Sequence, residues 1–141
     1  MSDRPAPPGG HPPPTAATLA GETVELAPLA AEICRRYREE FPDELERYGE
    51  AGVEWCIHDN LHVLNWAIEA IEYGADLDGN LTWLANVLEA RDFPLERLVR
   101  DLELAADVVD AMLPGTSPAL ERRLRDGASL ISARTSQATQ P

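Results

Sequence analysis

Apolar residues recur at intervals of three and four along most of the chain from Leu26 to Ile131. At the start of this region Leu26, Leu29, Ile33 and Tyr37 fall on one side of a helical projection, and charged residues fill the other side. This periodicity is typical of amphipathic helices that share a core. No stretch alternates apolar and polar residues for long enough to predict a strand. The pattern therefore predicts an all-α fold, a single bundle of five to six helices.

Prolines and glycines divide this pattern into separate helices. The Phe41-Pro42-Asp43 step predicts the end of a first helix, because proline disfavours helical geometry in the residue before it. A short second helix is predicted over 42–48, and Gly49 loosens the chain after it. The longest helix is predicted over 52–73, with Gly74 as a left-handed C-terminal cap.

Three further helices complete the predicted bundle. The first of them carries a tryptophan and four aliphatic residues and is expected to begin at Asp78 or Asn80, either of which can act as an N-cap. The next is predicted over 94–112. The last is predicted over 118–132, with Ser117 as its N-cap and a proline in its first turn.

The composition predicts one domain with unstructured ends. Residues 1–21 contain six prolines and almost nothing to bury, so we expect a disordered proline-rich arm. The helical bundle domain is expected over 22–133, followed by a disordered polar tail over 134–141. Hydrophobic residues make up 44% of the chain, which is ordinary for a globular domain.

Charge and cysteine content narrow the classes of partner. The formal net charge is −13, from 12 basic and 25 acidic residues, and this field repels nucleic acids and anionic membranes. Proteins and small molecules are the expected partners.

Without a secretory signal, Cys34 and Cys56 are expected to be reduced thiols, and a cytoplasmic location follows.

The candidate binding residues are aromatic and imidazole side chains at helical spacing. Two histidines four residues apart lie on one helical face, which is the geometry that lets both rings bind one metal ion. The same face is also typical of a small-molecule pocket or of ordinary interhelical packing. The predicted ligand-binding residues are Trp55, His58, His62, Trp66, Tyr73 and Trp83, with His58 and His62 as candidate metal ligands.

Signatures of catalysis are absent from the sequence. The glutamate that follows the first histidine in a zinc protease motif is replaced here by Asp59, and no glycine-rich phosphate loop, serine elbow or CxxC motif occurs. Cys56 and His58 are two residues apart and so do not face each other on a helix. A non-enzymatic function is expected, and an enzyme using Cys56 or the acid pair Glu54 and Asp59 is a weaker alternative.

One long stretch resembles a known type of helical domain. The segment LTWLANVLEARDFPLERLVRDLELAADVV, preceded by ERYGEAGVEWCIHDNLHVLNWAIEAIEYG, is similar over about residues 42–110 to the helical domain found upstream of cobalamin-binding modules in bacterial regulatory proteins. In that family a tryptophan-bearing helix and an ARGxP turn recur, and a second domain carries the cobalamin-ligating histidine in a DxHxxG motif. This sequence has neither that motif nor that domain, so the resemblance implies a helical sensor-like or adaptor module that does not bind cobalamin by itself. It implies a cap-facing aromatic residue at Trp83, Trp55 or Trp66.

Two functions follow as expectations. The first is a regulatory or adaptor module that binds a partner protein, or a second copy of itself, through its helical surface. The second is a sensor of a small molecule, a metal or a tetrapyrrole-type cofactor, which would use the tryptophan and histidine face of the long helix.

Overall fold

The computed structural model of the chain describes residues 12–113, 115 and 118–138. Within these ranges it contains five helices and one small antiparallel hairpin, so the predicted all-α bundle is confirmed. The predicted disorder of the first eleven and last three residues lies outside the described residues. The elements are β1 (Ala16–Leu19), β2 (Glu22–Glu25), α1 (Leu26–Glu40), α2 (Asp43–Tyr73), α3 (Leu77–Ala90), α4 (Leu95–Met112) and α5 (Pro118–Ala138).

A single hydrophobic core joins all five helices and the hairpin. The pairs α4 and α5, α1 and α2, and α1 and α4 pack most extensively, whereas the backbones of α2 and α4 come close at few points. Removing this apolar surface from water is the main force that stabilises the bundle. The largest fully buried side chains are Trp66, Leu26, Leu29, Ile33, Leu64, Ile68, Leu81, Leu84, Leu102, Leu120, Leu124 and Ile131.

The hairpin is a correction to the sequence prediction, which placed a disordered arm up to residue 21 and no strand. The two strands pair in antiparallel register and are joined by Ala20 and Gly21, which both have positive φ, at 53° and 82°. Buried Leu19 and Val24 attach the hairpin to the core. Each strand has only four residues, and its loop lacks the Asn-Gly or Asp-Gly pair that usually marks such a turn.

The predicted division of residues 42–73 into a short and a long helix is confirmed, because the two helical parts of α2 meet at a kink where the backbone is not helical. At the kink Gly49 has φ 63° and ψ −157°, a conformation that is essentially restricted to glycine. The predicted cap at Gly74 is confirmed, with φ 71° and ψ 24°. The predicted caps at Asp78 and Asn80 are wrong, because the side chain of Asp76 accepts the capping bond from the backbone N–H of Gly79 at 2.9 Å.

The C-terminal helix is longer than predicted. Its expected end near residue 132 and the expected tail from residue 134 are corrected by α5, which continues to Ala138. The guanidinium of Arg134 lies 2.7 Å from both Asn86 Oδ1 and Glu89 Oε1 on α3, which ties this extra length to the bundle. The predicted N-cap, Ser117, lies outside the described residues.

Two arginines of α4 join this helix to the first half of the bundle. Arg97 contacts Glu44 at 2.6 Å and Asp43 at 3.1 Å, both at the start of α2. Arg100 binds both oxygens of Glu40 on α1, at 2.8 and 2.7 Å. Such bidentate pairs fix geometry more than they add stability at an exposed surface.

None of the helices in the described part of the chain is long and apolar enough to cross a membrane.

The backbone conformation of Gly49 predicts that replacing it with asparagine destabilises the protein more than the same replacement at Gly74. An added Cβ meets nothing within 4 Å at either Gly49 or Gly74, so only the backbone conformation differs between them. Asparagine tolerates the left-handed conformation of Gly74 but not the conformation of Gly49. We expect Gly49→Asn to lower the free energy of unfolding by about 1–3 kcal/mol, and Gly74→Asn to lower it less. Urea unfolding followed by circular dichroism measures both, and equal losses would contradict the prediction.

Candidate functional site

A cavity of about 390 Å³ opens between α1, α2, α3 and α4. Its size lies within the range of small-molecule sites, and its wall is mainly apolar and aromatic with a few charged groups, as is usual for such sites. It is lined by Tyr37, Glu44, Tyr48, Ala51, Gly52, Trp55, Cys56, Asp59, Asn60, Val63, Leu84, Leu88, Arg91, Phe93, Arg97, Leu98 and Asp101.

The two long walls of the cavity are α2 and α4. The lining part of α2 begins on the N-terminal side of the Gly49 kink and continues along the inner face of the helix to Val63. From α4, Leu98 and Asp101 project to the same side because they are three residues apart. A carboxylate therefore occupies a position that the periodicity of α4 assigns to the core.

Asn60 and Asp101 are both buried, with exposed fractions of 2% and 9%, and they join the two walls. The Asn60 side-chain amide, Nδ2, donates to Asp101 Oδ1 at 3.0 Å and to the backbone carbonyl of Cys56 at 3.0 Å. The Asn60 side-chain oxygen is buried and accepts no hydrogen bond from the described residues. A buried acceptor left without a donor is rare in folded proteins and calls for an explanation.

Burial raises the pKa of Asp101 from its ordinary value of 3.8 to about 7. The hydrogen bond from Asn60 acts in the opposite direction, and the nearby carboxylates of Asp59 and Glu44 raise the pKa further. Desolvation of a carboxylate without a cationic partner is the usual cause of such a shift. The wall of the cavity thus holds an acid that changes charge near neutral pH.

Two free thiols lie against this pair. Asn60 Nδ2 is 3.6 Å from the sulfur of Cys34 and 3.6 Å from that of Cys56. A hydrogen bond with Cys34, then burial and the charge of Asp101, raise the pKa of Cys56 far above its ordinary value of 9.0. Because the thiolate is the reactive form, Cys56 is a poor nucleophile at neutral pH.

A second polar group lies on the wall formed by α1. The Tyr37 hydroxyl donates to Glu44 Oε2 at 3.0 Å, and the guanidinium of Arg97 approaches the same carboxylate oxygen at 2.6 Å. Burial first, then the charge of Glu44 and its hydrogen bond, raise the pKa of Tyr37. Arg97 also lies over the Phe41 ring, 4.4 Å from its centroid. The charge of Arg97 is therefore already paired.

The predicted tryptophan and histidine face forms a continuous series of ring contacts. Successive ring centroids are 4.9 Å apart for Trp55 and His58, 4.8 Å for His58 and His62, 5.5 Å for His62 and Trp66, and 6.3 Å for Trp66 and Trp83. His62 and Trp66 are buried, and the other three residues are half-buried. The series reaches the cavity only through Trp55.

The remaining predicted binding residue is separate from these rings. Tyr73 is 77% exposed at the C-terminal end of α2 and does not line the cavity. A binding role for the six predicted residues stays a prediction, although the structure brings five of them together.

The predicted metal ligands are His58 and His62, to which Cys56 and Asp59 on flanking positions could add. In the described part of the chain, no group of three or more histidine, cysteine or acidic side chains is arranged to hold a metal ion. A pair of histidines is fewer than the three or four protein ligands that zinc sites normally use. Metal binding by His58 and His62 stays a prediction.

The sequence prediction missed the buried polar pair. Asp101 falls on the apolar stripe of α4, three residues after Leu98 and four before Ala105, and a carboxylate in such a stripe is the signal that was available. Asn60 had no comparable signal, since its burial depends on how α1 and α4 pack against α2.

Comparisons with known proteins add nothing to this geometry: models of protein families, curated proteins and solved structures contain no match to the chain. The resemblance to cobalamin-associated helical domains stays a prediction.

The pKa of Asp101 predicts how stability depends on pH. This carboxyl loses its proton near pH 3.9 in an unfolded chain but near pH 7 in the folded protein. Between these values the folded state holds the extra proton, so the contribution of Asp101 to the free energy of unfolding falls as pH rises. The charges that act on it are those of Glu44 and Asp59 of α2, and Arg97 of α4 lines the same cavity.

Asp101→Asn keeps an acceptor for Asn60 and removes the titration. We expect this variant to match the wild type near pH 5 and to exceed it at pH 8 by about 1–3 kcal/mol. Urea unfolding at the two pH values measures the difference, with Asp110→Asn, an exposed position on the same helix, as the control. A stability difference that is the same at both pH values would show that Asp101 does not titrate in this range.

Proposed function

We propose that this chain is a small-molecule-binding domain of the sensor type, whose ligand enters the cavity between α2 and α4. The observation that carries the proposal is a cavity of about 390 Å³ bordered by the buried, hydrogen-bonded pair Asn60 and Asp101, of which the Asn60 side-chain oxygen has no partner among the described residues. A core selected for stability alone would fill this space with aliphatic side chains, because voids and buried polar groups both lower stability.

The composition of the wall supports the same proposal. Tyr48 and Phe93 lie on opposite segments with ring centroids 6.0 Å apart, and Trp55 adds a third aromatic surface. Flat apolar walls with a few fixed polar atoms give both affinity and orientation to a small ligand. A domain with one such cavity and a thiol of raised pKa fits recognition better than covalent catalysis.

The adaptor function has less support in the described residues. Their exposed large hydrophobic side chains are Leu45, Tyr73 and Met112, which lie at the two ends of α2 and at the end of α4. Single exposed hydrophobic residues are normal on protein surfaces and do not mark a docking site. Partner binding stays a prediction from the sequence.

A neutral fluorescent probe tests the proposed function. N-phenyl-1-naphthylamine becomes bright in apolar sites, so titration with the full chain is expected to give a saturable rise in fluorescence at one probe per chain. Leu88→Trp and Ala51→Trp place a large ring in the wall of the cavity. Each is expected to weaken probe binding at least tenfold, a change of about 1.4 kcal/mol.

Ala90→Trp is the matched control, since Ala90 lies on the same helix as Leu88 but is exposed and outside the cavity wall. It is expected to bind the probe like the wild type. Absence of saturable binding, or equal binding by all three tryptophan variants, would contradict the proposal.

A further inference from the structure

The unused hydrogen-bonding groups of Asn60 and Asp101 are all acceptors. The amide nitrogen of Asn60 is occupied by Asp101 and by the Cys56 carbonyl. Turning the amide around would place its oxygen against a carboxylate oxygen and a carbonyl oxygen, so the orientation is fixed by electrostatics. The side-chain oxygen of Asn60 is thereby left as a buried acceptor without a donor among the described residues.

Asp101 differs, because it lines the cavity and neither of its oxygens is among the fully buried atoms without a partner. In the described part of the chain, Asn60 is the one donor to its side chain. A carboxylate has about four sites for accepted hydrogen bonds, so this one donor leaves sites at which a ligand can donate. A ligand group that bonds to the Asp101 carboxylate must donate hydrogen bonds, since a group that only accepts has no donor to meet there.

The charges around the pair favour a cation. Glu44 and Asp59 lie on α2 beside it, and Tyr37 on α1 is close enough for the charge of Asp101 to raise its pKa. The cationic group nearest in sequence on α4, Arg97, is engaged by Asp43 and Glu44. Among the described residues no cation lowers the pKa of Asp101, although Arg91 and Arg97 line the same cavity, and the net charge of −13 draws cations toward the chain.

The walls suit the body of an aromatic amine. Trp55, Tyr48 and Phe93 present ring surfaces to the cavity, and ring faces attract cations as well as apolar groups. We propose that the cavity binds a protonated aryl-alkyl amine, whose ammonium group donates to Asp101 and whose ring lies among Trp55, Tyr48 and Phe93. This inference rests on the proposed function, because it assigns a ligand class to the same cavity.

Three indoles of similar size and different charge test the ligand class. Tryptamine carries an ammonium group, tryptophol replaces it with a neutral hydroxyl, and indole-3-propionate carries a carboxylate. Isothermal titration calorimetry with the full chain at pH 8 is expected to show tryptamine binding at least tenfold more tightly than tryptophol. Indole-3-propionate is expected to bind most weakly.

The role of Asp101 is tested by substitution and by pH. In Asp101→Asn the preference for tryptamine over tryptophol is expected to fall to less than threefold, whereas Asp110→Asn keeps it. In the wild type the same preference is expected to shrink between pH 8 and pH 5.5, because Asp101 gains a proton while the amine stays charged. The pH series needs no substitution, so it decides the question even if the Asp101 variant does not fold.

The outcomes separate the two proposals. Equal affinity for tryptamine and tryptophol, or tighter binding of indole-3-propionate, overturns the amine class while saturable binding of the neutral probe still supports a small-molecule cavity. A chain that binds neither the neutral probe nor any indole overturns both. A preference for tryptamine that survives in Asp101→Asn and at pH 5.5 overturns the assignment of the ammonium site.

Discussion

The hydrogen bond between Asn60 and Asp101 is the constraint on which the site depends. It joins α2 to α4 where the backbones of these helices come close at few points and the cavity lies between them. Its donor also holds the Cys56 carbonyl, so the pair is fixed to the helix backbone as well as to a side chain. The position of the acid in the cavity wall is therefore set by packing on both sides.

Charged contacts reinforce this arrangement from outside the core. Arg97, which lines the cavity, connects α4 to the start of α2, and Arg100 connects α4 to the end of α1. Exposed pairs of this kind contribute little free energy, but they restrict how the helices can slide or rotate. Because the guanidinium of Arg97 is paired with Asp43 and Glu44, it fixes the cavity wall without neutralising Asp101.

Much of the fold could be predicted from local patterns. The helix start at Leu26, the cap at Gly74 and the break before Pro94 follow from apolar spacing and from the backbone limits of glycine and proline. The hairpin could not be predicted, because strands of four residues carry little period-two signal and Ala20 is an unusual residue for positive φ. The break of α2 at Gly49 was predictable from the glycine itself, whose backbone conformation here is essentially restricted to that residue.

The site was harder to predict than the fold for a physical reason. The sequence made the rings of His58, His62 and Trp66 conspicuous, and they lie together as their spacing requires. A cavity, by contrast, is defined by the space between helices, which no single helical pattern contains. Asp101 belongs to α4 and Asn60 to α2, and their sequence separation of 41 residues hides the pair until the helices are packed.

The stability lost by burying Asn60 and Asp101 is itself an argument that the pair has a function. Replacing a buried polar pair with apolar residues of similar volume is often neutral or stabilising, so stability alone gives no reason for a carboxylate on the apolar stripe of α4. Local rules of core formation are broken mainly at functional sites. The ionised form of a poorly solvated carboxyl is stabilised by any cation that reaches it. A cationic ligand therefore gains binding free energy from this carboxylate that a neutral ligand of the same shape does not gain. The same property couples binding to pH, since a cation that favours the carboxylate displaces the proton that burial retains.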